Sequence, residues 1–91
     1  MTFTLIFTDQ YNKRAAHFLK RHSDLEKQYL KTLQLLEMNP QHPSLRLHPL
    51  GGRLHGLYSV SINLSYRITL ELLIHDQEII PINVGDHDVV Y

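Results

Sequence analysis

The sequence predicts an α+β domain: an N-terminal strand and a two-helix hairpin, then a three-stranded antiparallel meander, all in one sheet with the helices on one face. Apolar residues recur with a helical period between residues 10 and 39, and they alternate with a period of two between residues 57 and 84. One sheet covered by the helix pair is the simplest way to bury both patterns. The 91 residues, 43% of them hydrophobic, fit a single domain spanning 1–91.

The N-terminal segment carries a strand signal and then a helix signal. Apolar residues alternate with mostly threonine over Thr2–Thr8, which predicts a strand. Asp9 is expected to be the N-cap of a helix over Gln10–His22. The apolar stripe of this helix comprises Tyr11, Ala15, Phe18 and Leu19.

A second helix is predicted directly after the first. Ser23 and Glu26 have the spacing of a capping box, which begins the helix. Asn39-Pro40 ends it, because the residue before a proline avoids helical backbone angles. The buried stripe is expected to comprise Leu25, Tyr29, Leu33 and Leu36.

The second half of the chain is predicted to be a loop followed by the meander. Prolines and glycines interrupt Gln41–Gly56, which therefore reads as loop-rich. Three β-type runs follow, with turns at Asn63–Ser65 and His75–Gln77; the runs are Leu57–Ile62, Tyr66–Ile74 and Glu78–Val84. Pro81 cannot donate a ladder hydrogen bond, so it indicates an edge strand or a bulge.

The net charge of zero hides an uneven distribution. Residues 1–41 carry six Lys or Arg and four acids, whereas residues 68–91 carry five acids and no Lys or Arg. Between them lie Arg46, Arg53 and Arg67 with three histidines and no acid. This acid-free segment, Gln41–Arg67, is expected to attract anions and to form the working surface together with Gly85–Tyr91.

Composition excludes several classes of function. There is no cysteine, and no apolar run approaches the roughly 20 residues that span a bilayer. The N-terminus lacks the features of a signal peptide, so a cytoplasmic protein without membrane contact is expected. Asp86-His87-Asp88, with His48 or His55, offers metal-ligating side chains, but neighbours on an extended chain point in opposite directions. No metal or other cofactor is expected.

Three short motifs occur in order across the last strands. A Leu50-Gly51-Gly52 turn leads into the meander, Tyr66-Arg67-Ile68 lies in its middle strand, and Gly85-Asp86-His87-Asp88-Val89-Val90-Tyr91 closes it. In this combination the chain resembles the RelE/ParE superfamily of bacterial toxins from type II toxin–antitoxin systems. The order of elements and the length also agree, and the RelE/YafQ-like branch is favoured.

The resemblance implies a toxin that is held silent by a cognate antitoxin. Its expected activity is ribosome-dependent endonuclease cleavage of mRNA, with ribosome and mRNA as partners. DNA operator binding is expected only for the toxin–antitoxin complex. Two alternatives stay open: a non-catalytic toxin that inhibits gyrase, as in the ParE branch, and a decayed homologue that only binds its antitoxin.

The resemblance also assigns candidate catalytic residues. Arg67 matches the strand arginine that meets the scissile phosphate, and by strand alternation it faces away from the apolar stripe of its strand. His48 and His87 match histidines of the YafQ-type branch, and such a pair can supply the base and the acid for attack by an RNA 2′-hydroxyl. That branch has a further histidine and aspartate where this chain has Ser61 and Ser65.

Other residues of the basic segment are candidates for binding RNA. Arg46, Arg53 and His55 can hold neighbouring phosphates, and Tyr91 can stack on an unpaired base. Plain structural alternatives stay open for four candidates: Arg67 as a solvated strand arginine, His48 as a turn cap, His87 as a satisfied surface histidine and His55 as a strand-entry residue. His17 and His22 fall on the first helix and its end, and no site role is expected for them.

Overall fold

The computed structural model describes residues 2–86, which fold into a five-stranded sheet with two helices. The helices are α1 (Asp9–Arg21) and α2 (Glu26–Met38), and the strands are β1 (Thr4–Leu5), β2 (His48–Pro49), β3 (Tyr58–Ser61), β4 (Tyr66–Leu73) and β5 (Glu78–Asp86). The strand order is β1-β5-β4-β3-β2. The pairing of β1 with β5 is parallel and the other three pairings are antiparallel. The predicted α+β class and the meander are confirmed.

The start of α1 differs from the prediction. Thr8 is the N-cap, and its hydroxyl accepts a hydrogen bond from the Tyr11 backbone N–H at 3.1 Å. Asp9 is instead the first helical residue. There its carboxylate lies near the positive end of the helix dipole, where an acid is favourable without acting as the cap.

The start of α2 also differs. A 3₁₀ turn over Ser23–Leu25 precedes the helix, and the residue that caps it, Leu25, makes no side-chain capping bond. The expected capping box of Ser23 and Glu26 does not form, because this tight turn joins the two helices directly. The end of α2 at Asn39, before the proline, is as predicted.

The predicted first strand is longer than the observed one. Only Thr4 and Leu5 pair as a strand, with Glu78 and Ile79, because the cap of α1 redirects the chain at Thr8. The stretch over 41–56 is mostly loop, as predicted, but it also contains β2 and 3₁₀ turns at Pro43–Leu45 and Gly52–Leu54. The sheet therefore has one strand more than the sequence predicted.

Pro81 lies at a bulge in β5. Thr69 and Leu70 of β4 pair with Asn83 and Pro81, so Ile82 is the extra residue. The bulge keeps Val84 on the same face as Pro81 although three positions separate them. On the edge of β5 that faces β1, only Glu78 and Ile79 have a partner strand. Pro81 lies beyond them, so its missing N–H removes no hydrogen bond between strands on that edge.

The core lies between the helices and the face of the sheet that they cover, which we call the inner face. Tyr66 marks this face, since its ring packs edge-on against Phe18 of α1 at 5.4 Å between centroids. Five of the predicted stripe residues are buried, whereas Leu19, Leu25 and Leu33 are half-buried and pack against the core. Thr32 is an additional buried residue, and its hydroxyl donates to the Gln28 carbonyl at 2.8 Å. The buried apolar residues are Tyr11, Ala15, Phe18, Tyr29, Leu36, Leu45, Val60, Ile62, Ile68, Leu70, Ile79 and Val84.

Candidate functional site

Arg67 lies near the start of β4 on the outer face of the sheet, opposite the helices. It follows Tyr66, whose side chain contacts α1, and successive residues of a strand point to opposite faces. Its direct neighbours across the sheet are Ser61 on β3 and Gly85 on β5. Gly85 contributes no side chain to this part of the outer face.

A side-chain hydrogen bond holds Arg67 toward β3. Its Nη1 donates to Ser61 Oγ at 3.0 Å, and the pair is partly buried. The Ser61 hydroxyl accepts this bond, so its own hydrogen can still be donated to another acceptor. Arg67 keeps further N–H donors in a fixed planar fork, the geometry that suits a phosphate.

His48 shares the outer face with Arg67. It pairs with Ser59 on β3, two residues before Ser61, and positions two apart on a strand point to one face. Strand spacing places the Cα atoms of His48 and Arg67 about 12 Å apart. The two side chains therefore flank a shared strip of β3 rather than contacting each other.

A hydrogen bond orients the His48 ring. Its Nδ1 lies 3.1 Å from the Arg46 carbonyl oxygen. A carbonyl only accepts, so Nδ1 carries the proton in this bond and Nε2 is the basic nitrogen of the neutral ring. Arg46 itself adopts a left-handed backbone conformation with φ of 50°.

Small hydroxyl residues form the floor between Arg67 and His48. Ser59, Ser61 and Thr69 are 0%, 8% and 2% exposed. Thr69 Oγ1 is buried and has no hydrogen-bond partner within residues 2–86. Buried hydroxyls are usually satisfied, so the Thr69 hydroxyl is the exception on this face.

The structure separates the other predicted phosphate-binding residues. Arg46 is exposed and precedes β2 by two residues, toward the Ser61 end of β3. Arg53 and His55 are exposed on the loop that joins β2 to β3, at the opposite end of that strand pair. Arg53 and His55 therefore do not lie in one cleft with Arg67.

Two predicted site residues fall outside the described part of the chain. These are His87, the second candidate acid–base histidine, and Tyr91, the candidate stacking residue. The described part of β5 ends at Asp86, which pairs with Tyr66.

The described residues contain no metal centre. Within 2–86, no three His, Asp or Glu side chains are grouped so that they could hold an ion. Neither described helix has the length and apolar character needed to cross a membrane.

Sequence reasoning missed two features near the site. Ser61 was noted only as a missing titratable group, yet it holds Arg67; the pairing of β3 with β4 was the signal that links them. A groove of about 620 Å³ lies on the helix side of the sheet, lined by α1, Tyr66 and the end of β5. Basic residues at four-residue spacing along α1 were the signal for that groove.

Several solved toxin structures are similar to this chain. No protein-family model matches the sequence, and no curated protein sequence matches it. The YafQ toxin in the Escherichia coli DinJ–YafQ toxin–antitoxin complex superposes with a TM-score of 0.78 at 20% identity, covering 100% of this chain and 99% of that one.

Two further structures extend the likeness beyond YafQ. The YoeB/ParE toxin of Agrobacterium tumefaciens gives a TM-score of 0.73 at 17% identity, over 93% of this chain and 99% of that one. A chain of the RelBE2 toxin–antitoxin complex of Mycobacterium tuberculosis gives 0.62 at 16%, over 96% and 100%. The chain therefore has the fold of the RelE/ParE toxins, and YafQ is among its good structural matches.

Proposed function

We propose that this chain, which has the fold of the YafQ, YoeB/ParE and RelE toxins, is the toxin of a toxin–antitoxin pair and cleaves mRNA on the ribosome. The observation that carries the proposal is the outer face, where Arg67, fixed by Ser61, lies beside a floor of buried hydroxyls with His48 across it. A basic group over a polar floor suits a phosphodiester better than it suits an apolar ligand.

The proposed reaction is attack by the RNA 2′-hydroxyl on the adjacent phosphorus. His48 accepts the 2′ proton at Nε2, the O–P bond forms, and the bond to the 5′ oxygen breaks. His87 donates a proton to that leaving oxygen. Arg67 stabilises the negative charge that develops on the phosphoryl oxygens, and no cofactor is required.

Arg46, Arg53, His55 and Tyr91 have supporting roles in this proposal. Arg46 contacts a phosphate next to the scissile one. Arg53 and His55, on the loop between β2 and β3, contact the RNA farther along its path. Tyr91 stacks on an unpaired base.

Purified protein, ribosomes and a defined mRNA test the proposal. Cleavage is expected only when ribosomes are present. The double variant His48→Ala/His87→Ala should lose at least about 100-fold in rate, and Arg67→Ala a similar amount. If the double variant cuts as fast as the unchanged protein, the assigned acid–base pair is wrong.

Inhibition of gyrase is the second candidate function. It is favoured by the likeness to the YoeB/ParE toxin and by Ser61 and Ser65, which cannot titrate near neutral pH. Gyrase-dependent DNA breaks without mRNA cleavage would support it. A chain that does neither, and does not arrest growth when expressed alone, would be a decayed homologue that only binds its antitoxin.

The proposed protein partner is a cognate antitoxin whose acidic residues cover Arg46, Arg53 and Arg67. Arg46 and Arg53 are exposed and available to such a partner. Salt should slow the encounter more than it weakens the final packing. Action on ribosomes implies a cytoplasmic location, and operator DNA is bound only by the toxin–antitoxin complex.

A further inference from the structure

Two histidines between α2 and β3 are bonded to the backbone in opposite ways. The Nδ1 of His42 accepts the backbone N–H of Ser44 at 3.2 Å. The Nδ1 of His48 lies 3.1 Å from the Arg46 carbonyl oxygen. An N–H only donates and a carbonyl only accepts. In its neutral form the His42 ring therefore carries its proton on Nε2, whereas the neutral His48 ring carries it on Nδ1.

His42 is the N-cap of the 3₁₀ turn Pro43–Leu45. Because Pro43 has no N–H, the Ser44 N–H is the first donor of this turn, and the His42 ring satisfies it. The Ser44 hydroxyl also lies 2.8 Å from the same ring nitrogen and donates to it. The Nδ1 of histidine is as many bonds from Cα as the Oδ1 of asparagine, a preferred N-cap residue. The ring therefore performs the capping that asparagine performs elsewhere.

The capped turn ends in a strained residue. Arg46 has φ of 50° and ψ of 46°, a left-handed conformation that is unfavourable for a residue with a side chain. Such a conformation persists only where neighbouring contacts hold it. The hydrogen bond that closes the turn, from the Arg46 N–H to the Pro43 carbonyl, is long at 3.3 Å. Leu45, 1% exposed, anchors the middle of the turn in the core, and the His42 cap holds its start.

The conformation of Arg46 matters for the proposed base. Its ψ angle sets the direction of its carbonyl group, and that carbonyl fixes His48 in the Nδ1–H tautomer. In the other tautomer the proton would occupy Nε2, the nitrogen that must accept the RNA 2′ proton. A turn that unwinds would release the carbonyl and lower the fraction of His48 rings that can act as the base.

We propose that His42 is a positioning residue for His48. By capping the Pro43–Leu45 turn, it holds the Arg46 carbonyl on the His48 ring and so keeps Nε2 of that ring as the basic nitrogen. The inference rests on the proposed function, in which His48 is the base. His42 acts through the backbone of the turn and not through contact with the RNA.

The tautomers can be measured on the free protein, without ribosomes or RNA. Long-range proton–nitrogen NMR spectra at about pH 8, where unperturbed histidine is neutral, distinguish the two ring nitrogens. His48→Ala identifies the signals of that ring. In the unchanged protein we expect the Nδ1–H form for His48 and the Nε2–H form for His42. His42→Ala should move His48 toward a mixture of both forms, because loss of an N-cap shifts the equilibrium of a turn by about fivefold.

A rescue variant and a control separate this role from a general loss of structure. His42→Asn retains an acceptor at the capping position and should restore the Nδ1–H form of His48. His75→Ala removes an exposed histidine from the turn between β4 and β5 and should leave His48 unchanged. The backbone amide signals in spectra of the same samples show that each variant folds.

Cleavage on ribosomes should follow the tautomer ratio. His42→Ala is expected to lower kcat by up to about fivefold with KM within about twofold, since fewer His48 rings are in the active form. His42→Asn should restore most of kcat, and His75→Ala should retain it.

Three outcomes would overturn the inference. The first is a His48 tautomer ratio that stays the same in His42→Ala. The second is a His42→Asn variant that shifts this ratio as far as His42→Ala does, because the acceptor would then be irrelevant. The third is the same shift in His75→Ala.

The NMR measurement also separates this inference from the proposed function. If His42→Ala changes the His48 tautomer but the unchanged protein never cleaves mRNA, the positioning assignment stands and the nuclease proposal fails. If the protein cleaves mRNA and the tautomer does not depend on His42, the nuclease proposal stands and the positioning assignment fails.

Discussion

Arg67 and Ser61 form a cross-strand pair in which a neutral hydroxyl fixes a charged group. The guanidinium lies at the end of a long flexible side chain, and restricting that side chain to one conformation costs entropy. A hydrogen bond to a charged donor recovers part of that cost in the folded protein, before any ligand binds. The hydroxyl therefore acts on the proposed reaction through Arg67.

Removing the hydroxyl should slow cleavage, because Arg67 is no longer held in place before RNA binds. Ser61→Ala is expected to lower kcat about tenfold, because losing a hydrogen bond to a charged group is worth about 1.5–3 kcal/mol, part of which RNA contacts restore. Ser61→Thr retains the hydroxyl and should restore most of the rate. The measurements are kcat and KM on ribosomes, with urea unfolding as the control; equal kcat for the alanine and threonine variants would refute this role.

The sequence alone could place Arg67 but could not assign its partner. Alternation along β4 predicted the face on which Arg67 lies. The turn at Asn63–Ser65 places Ser61 opposite Arg67, but this register does not by itself specify a hydrogen bond between the two side chains. Arg53 and His55 illustrate the same limit. They belong to the same acid-free segment as Arg67, but they lie on the loop at the other end of the β2–β3 pair.

At the scale of elements, the cap of α1 determines where the first strand stops. Thr8 has extended backbone angles, with φ of −79° and ψ of 158°, and its side chain satisfies the Tyr11 N–H. Both Thr8 and Asp9 are good capping residues in isolation, so composition did not decide between them.

The two candidate caps can be distinguished by stability. Thr8→Ala should lower the free energy of unfolding by about 1 kcal/mol, because the Tyr11 N–H loses its partner. Asp9→Ala should cost about 0.5 kcal/mol, since only a dipole interaction is lost. Denaturant unfolding of both variants checks the order, and a larger loss for Asp9→Ala would contradict the observed cap.

The elements that were predicted well have apolar residues that recur regularly along the sequence. Both helices and the β4–β5 hairpin follow from their apolar stripes and the turns between them. In contrast, β2 is only two residues long, His48 and Pro49, and too short to show alternation. The bulge at Ile82 was predicted as one of two options for Pro81, and only the pairing of β5 with both neighbours decides it.

At the scale of the whole molecule, a tyrosine pair ties the two helices together in the core. Tyr11 of α1 and Tyr29 of α2 are 1% and 4% exposed, and their hydroxyl oxygens are 2.8 Å apart. Burial, with smaller contributions from the charge of Tyr29 and the hydrogen bond, raises the pKa of Tyr11 far above its usual 10.0. Burial also raises the pKa of Tyr29, and the hydrogen bond to Tyr11 partly opposes this.

The raised pKa values predict a loss of stability in alkali. In the unfolded chain both phenols ionise near pH 10, whereas the folded protein keeps its protons to higher pH. The unfolded state then binds fewer protons, so the free energy of unfolding falls as pH rises above about 10, by up to about 1.4 kcal/mol per pH unit for each tyrosine. Below the unfolded pKa this contribution is fully present.

Urea unfolding between about pH 8 and pH 11 measures this effect. The double variant Tyr11→Phe/Tyr29→Phe is the control, and its stability should fall much less steeply over that range. At neutral pH the double variant should be less destabilised than the sum of the single variants, because each single change leaves one buried hydroxyl without its partner. If the free energy of unfolding falls equally steeply with pH in both proteins, the tyrosine pair is not the cause of the alkaline loss of stability.

The parallel pairing of β1 with β5 also constrains the order of assembly during synthesis. Thr4 pairs with Glu78, so β1, which is synthesised first, cannot pair until β5 has been synthesised. Such a sequence-distant contact forms late, after the local hairpin of β4 and β5. Because β5 also supplies Gly85 beside Arg67, the outer face is complete only after residue 85 has left the ribosome. A nascent chain that still lacks β5 therefore lacks the complete outer face on which the proposed cleavage depends.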